Sequence, residues 1–115
     1  MPTKNGVYLF ANWKMYLDFE ESDSLAKAIA KKAKNFSSRI KMAVFPSSLS
    51  FCSVSKILKK TGISGGAQNL YWIEKGGYTG EISAQMFKSA GAEYALIGHS
   101  ERRHIFNETN HDVRQ

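Results

Sequence analysis

The chain is poor in the features that mark several classes of protein. Its one cysteine, Cys52, cannot form an intramolecular disulfide, and no Cys/His cluster shows the spacing of metal ligands. Nothing in the sequence calls for a cofactor, and a reducing cytoplasm is the simplest home. No long apolar run precedes Val7, and later apolar stretches fall far short of the roughly 18 residues that suggest a membrane span. Neither a signal peptide nor a membrane helix is expected. The net charge of +6 raises the question of nucleic acid, but no basic patch interleaved with aromatics accompanies it. The lysines recur at helical intervals, as in Lys27, Lys31, Lys32 and Lys34, then Lys56, Lys59 and Lys60, which reads as solvated helix faces.

What is present fits one soluble domain over residues 1–115. With 43% hydrophobic and 23% charged residues the composition is ordinary, and the length suits a modest core. It is too short for a closed eight-fold barrel, which needs about 250 residues.

Val7 to Phe10 is a short apolar run ending at Asn12, after which Leu25, Ala28, Ile29, Ala33 and Phe36 recur at three- and four-residue intervals, as one helix face requires. Asp18 with Glu21 has the spacing of a helix-start box. A second strand, Ile40 to Phe45, stops at Pro46, and Val54, Ile57 and Leu58 resume helical spacing until Gly62 closes the helix. Ile63 to Ala67 is glycine-rich and weak as a strand on its own merits. Gln68 to Tyr78 is a long connection whose Tyr71 and Trp72 imply a loop folded onto its own domain or inserted into a partner. Ile82 to Ser89 reads as a short helix and Tyr94 to Ile97 as a strand, with Ser100 capping a last helix that carries Ile105, Phe106 and Val113. The order is strand then helix, four times, with a period of roughly thirty residues. That implies an α/β fold of four parallel βα units joined by right-handed crossovers.

In parallel α/β sheets chemistry collects at the carboxyl ends of strands, where Asn12, Lys14, Gln68, Asn69 and His99 all fall. Singly each has a structural explanation, as a turn residue, a surface lysine or a hydrogen-bonded histidine. Jointly, a lysine, a histidine and amides at successive strand ends suit an anionic, carbonyl-bearing small molecule. A histidine just ahead of a capped helix meets the positive end of the helix dipole, which disfavours imidazolium.

Three motifs in order carry a resemblance over almost the whole chain. Asn12-Trp13-Lys14-Met15, then Gly66-Ala67-Gln68-Asn69 followed by Gly77-Tyr78-Thr79-Gly80-Glu81-Ile82-Ser83, then Ile97-Gly98-His99-Ser100-Glu101-Arg102-Arg103 resemble the first-strand, third-loop and fourth-strand signatures of triosephosphate isomerases. The resemblance implies half of a TIM (β/α)8 barrel and interconversion of dihydroxyacetone phosphate and glyceraldehyde 3-phosphate in glycolysis and gluconeogenesis. This family is itself the standard illustration of neutral-histidine catalysis and lid closure. By resemblance, Lys14 attracts the substrate phosphate and the enediolate charge, Asn12 helps position substrate, and His99 polarises the carbonyl. Glu101 matches an acidic residue near the site, and Thr79 matches the loop tip that reaches the neighbouring subunit. Arg102 matches an arginine that pairs with loop carboxylates, and Glu81 aligns in an ion-pair or capping role.

The family's proton-abstracting glutamate on its sixth strand, the lid after it and the later phosphate loops have no counterpart up to Gln115. General-base catalysis commonly supplies about a hundred- to ten-thousand-fold, so the isolated chain is expected to be inactive or nearly so. A chain carrying the remaining strands would complete an enzyme. The alternative is a non-catalytic oligomeric half-barrel or phosphate-binding domain. Four βα units also cover parallel strands on one face only, leaving the would-be barrel interior and both outer strands open. A homo-oligomer, dimer or tetramer, is therefore expected. Strands one and four lie three spacings apart, about 14 Å along a flat sheet, so flattening would separate Lys14 from His99.

Overall fold

The computed structural model describes residues 6–33 and 39–115. The expectations placed on Lys34 and Phe36 lie outside them. β1 (Val7–Asn12), β2 (Ile40–Phe45), β3 (Ser64–Ala67) and β4 (Tyr94–Ala95) form one parallel sheet in chain order. β1 and β2 pair from Val7↔Ile40 to Asn12↔Phe45, whereas β3 enters only at Ala43↔Ser64 and β4 only at Gly66↔Tyr94. Such stagger tilts strands about a barrel axis. The sheet accordingly curls: the rings of Phe10 on β1 and Tyr94 on β4 lie 5.0 Å apart although two strands intervene. Phe45 meets Phe10 edge-on at 5.5 Å, giving the concave face an aromatic wall. The fold is half of a TIM barrel, as the motif order implies.

β3 owes its weak sequence signal to this packing. A Cβ at Gly66 would run into the Phe45 ring and one at Gly65 into Ser55, so glycine lets both the concave face and the helix layer close on the strand. On the convex side, helices α1 (Phe19–Lys32) and α2 (Phe51–Leu58) cover the sheet. Ala26, Val44, Val54, Leu58 and Ile63 form one core, and a second joins Phe51, Ala67 and Phe87. Burying a side chain such as Leu58, which is fully covered, contributes about 1.5–3 kcal/mol.

α1 begins at the expected box: the Glu21 N–H donates to Asp18 Oδ1 at 2.8 Å and the Asp18 N–H to Glu21 Oε1 at 3.3 Å. Its buried face departs from the expected one. Ser22 and Ala26 are buried while Leu25 and Ala28 face solvent; only Ile29 and Ala33 belong to both readings. Small residues allow close packing against the sheet and α2, and the Ser53 hydroxyl donates to Asp23 Oδ1 at 2.6 Å between the helices. α2 passes into a 3-10 turn, Lys59–Thr61, and ends at Gly62, whose φ of +81° suits glycine.

The long connection folds on itself. Tyr71 stacks on Trp72 at 4.3 Å, lies 4.8 Å from Tyr78, and its N–H donates to Ile82 O. Ser83 caps α3 (Ala84–Ser89), which starts two residues later than expected. β4 is two residues rather than four. The expected last helix is in fact two, α4 (Ser100–His104) and α5 (Asn110–Arg114), separated where Asn107 takes φ +60°. His99, not Ser100, caps α4, and Thr109 caps α5 through a box with Asp112. Ile105 and Phe106 lie outside both helices and are exposed. No helix among the described residues is long and apolar enough to cross a membrane.

Candidate active site

β1 delivers its last residue to the carboxyl edge of the sheet, where the chain turns sharply. Asn12 Oδ1 accepts the Lys14 N–H at 2.9 Å, and Lys14 takes φ +53°, a left-handed conformation that costs a residue with a Cβ roughly 1–2 kcal/mol. The Gln68 side chain holds this turn. Its Nε2 donates to Lys14 O and to Phe45 O, each at 2.8 Å, tying the ends of β1, β2 and β3 together. Gln68 and Asn69 are both candidates for ligand contact, and the Nε2 of Gln68 is committed to scaffolding. Its position directly after a strand was the only signal for that role.

At the end of β4, Gly98 (φ +64°) turns the chain and His99 caps α4. The Glu101 N–H donates to His99 Nδ1 at 3.1 Å. Nδ1 is thereby an acceptor, so in neutral imidazole the proton sits on Nε2, which is the nitrogen free to donate to a ligand. Glu101 Oε2 lies 3.7 Å from Nδ1, beyond hydrogen-bond reach.

The curl of the sheet joins the two ends. Lys14 Nζ and Glu101 Oε1 are 2.8 Å apart, with both side chains partly exposed. Their hydrogen bond, reinforced by charge attraction, raises the Lys14 pKa; the same hydrogen bond lowers that of Glu101 below its ordinary value. Lys14, Glu101 and His99 therefore share one cluster, with Asn12 two residues from Lys14.

Arginines stiffen the loop beyond it. Arg103 Nε donates to Gly98 O at 2.8 Å, while Arg102 approaches Glu108 at 3.4 Å and covers the Phe106 ring. The carboxylate pairing anticipated for Arg102 is thus with Glu108. Glu81 is exposed and makes no ion pair among the described residues, and the helix after it is capped by Ser83; its anticipated role is corrected accordingly. Thr79 is exposed on its loop and does not join the cluster.

A lysine, a histidine Nε2–H and an asparagine thus stand at the ends of β1 and β4, which the curl brings together. The triosephosphate isomerase family model matches residues 7–115. The chain belongs to the triosephosphate isomerase family. Among similar proteins, the triosephosphate isomerase of Dictyoglomus thermophilum is 44% identical over 100 residues, covering 87% of this chain and 40% of that enzyme. That of Chlamydia muridarum is 40% identical over 114 residues, 98% of this chain and 42% of the relative. That of Cytophaga hutchinsonii is 44% identical over 103 residues, 89% and 41% respectively. The chain thus spans about two fifths of the length of these relatives, and the match lies in the N-terminal part of a triosephosphate isomerase.

Proposed function

We propose that the chain supplies one half of a triosephosphate isomerase site, working on dihydroxyacetone phosphate and glyceraldehyde 3-phosphate in glycolysis in the cytoplasm once joined to the remaining βα units. The observation that carries this reading is the Lys14–Glu101 pair at 2.8 Å, which the sheet's curl assembles from strands one and four. Lys14 would draw the phosphate dianion and offset the developing enediolate charge, His99 Nε2–H would polarise the carbonyl, and Asn12 would position the substrate. An arriving anion would compete with Glu101 for Lys14, so the ion pair would open on binding.

These groups bind and polarise but do not remove the carbon-bound proton. Glu101 is held by Lys14, and its family counterpart is not the base. The test is to assay the purified chain, cleared of host enzyme, alone and mixed with the separately produced remainder of a relative. Turnover should be absent or lower by about a hundred-fold or more alone and should recover on mixing. Near-normal turnover by the chain alone would overturn the reading.

A second reading, an oligomeric half-barrel without catalysis, is favoured by the half-exposed Val7, Leu9 and Phe10 of β1. A second copy covering this edge would give a dimer or tetramer by light scattering, and Thr79 would be the family-like contact. A monodisperse monomer at micromolar concentration would exclude it.

A further inference from the structure

A cavity of about 650 Å³ lies away from Lys14 and His99, at the opposite, N-terminal rim of the strands. Its size is that of a small-molecule site. Lys41 reaches it from β2, beside its register partner Tyr8 on β1. Strand alternation sets Lys41 on the same face as Ala43 and Phe45, the concave face, and at this end of the strand it is exposed. Lys56 from the last turn of α2 and Lys59 from the turn after it, three residues apart and so on one side, line the same space. None of these three lysines forms an ion pair among the described residues.

Glu93 is the carboxylate residue in the lining, against three lysines. The cavity therefore carries a positive excess. The Ser55 hydroxyl, also in the lining, is buried without a hydrogen-bond partner. That hydroxyl is packed over Gly65 of β3, where a Cβ would meet it, so it belongs to the contact between α2 and the strand. Lys56 and Lys59 also meet the negative end of α2, and Lys41 is exposed near the start of β2, so all three are open to a ligand from solvent.

We infer that this rim binds a small anion carrying two or more linked phosphate groups, a site separate from the triose-directed end. Lysine ammonium groups serve phosphate as mobile point charges, and three of them spread over a strand and a helix end suit a chain of phosphates better than a single one. A cleft lined by one sign of charge also concentrates such ligands from solution.

The test is calorimetric titration of the 115-residue chain with inorganic tripolyphosphate at moderate salt. One saturable equivalent is expected. Lys41→Met and the double change Lys56→Ala with Lys59→Ala should each weaken it by about tenfold or more. The double change Lys27→Ala with Lys31→Ala, which removes the same charge elsewhere, should leave it within about twofold, as should Lys14→Ala. No saturable binding would overturn the inference. So would equal weakening by the Lys27/Lys31 control, which would mean diffuse attraction, or loss with Lys14→Ala, which would mean the phosphate had entered the other end. Tighter, non-stoichiometric uptake of an oligonucleotide, unaffected by Lys41→Met, would also count against it.

Discussion

β1 and β2 are six-residue strands of similar apolar content, Val7–Asn12 and Ile40–Phe45, paired residue for residue, yet they live in different environments. In β2, Val44 and Phe45 are 3% and 1% exposed; in β1, Leu9 and Phe10 are each 49% exposed. Composition does not separate them. β2 has strands on both edges, helices on its convex side and the Phe10 ring on its concave side, whereas β1 is paired along one edge. Burial here is a property of neighbours, and the exposed edge marks where this half-barrel is unfinished.

The comparison breaks most visibly under truncation. Phe45→Ala should cost about 3–5 kcal/mol in chemical denaturation, while Leu9→Ala in β1 should cost about 1 kcal/mol or less. Equal losses would show that β1 is covered in solution, for instance by a second copy. Filling the space beneath Phe45 comes next: Gly66→Ala places a methyl against that ring and close to Tyr94 O, and overpacking of this kind costs about 1–3 kcal/mol. It should also part Phe10 from Tyr94, read as a change in near-UV dichroism.

Gln68→Leu removes the side chain that joins the β1 and β2 ends. The Lys14 carbonyl loses a donor, a loss of about 1 kcal/mol, whereas Phe45 O keeps the Trp13 N–H. The more telling readout is the Lys14–Glu101 pair, which should weaken once the left-handed Lys14 is released.

The smallest effect is the pH dependence of that pair. The Glu101 pKa is lowered, so its contribution to stability is present above the ordinary glutamate value of 4.5 and is lost as pH falls through the lowered value. The Lys14 pKa is raised, so its contribution is present below the ordinary 10.5 and is lost as pH rises through the raised value. Glu101→Gln should flatten both limbs slightly, and added salt should mimic it because the pair is partly exposed.

Local chemistry was legible where short-range rules act alone. Asp18 and Glu21 announced a cap, Gly62 announced a helix end, and the strand-end positions of Asn12, Lys14 and His99 followed from alternating patterns. Tertiary choices were not. Leu25 looked like core, but Ser22 and Ala26 face inward, because the helix contact rewards close approach over apolar size. Ser100 has the side chain preferred at a cap, yet His99 takes the role through Nδ1, which also fixes the nitrogen left for a ligand. The scaffolding by Gln68 depends on three strand ends meeting, which no local window contains.

All of the site geometry rests on the curl that brings β1 to β4. Nuclear Overhauser contacts between the Phe10 and Tyr94 rings, and between the Lys14 ε-methylene and the Glu101 γ-methylene, test it directly in the 115-residue chain. Both sets should appear, together with the β1–β2 and β2–β3 ladder contacts. Intact ladders without either cross-sheet set would mean a flattened sheet, with Lys14 and His99 too far apart to serve one substrate.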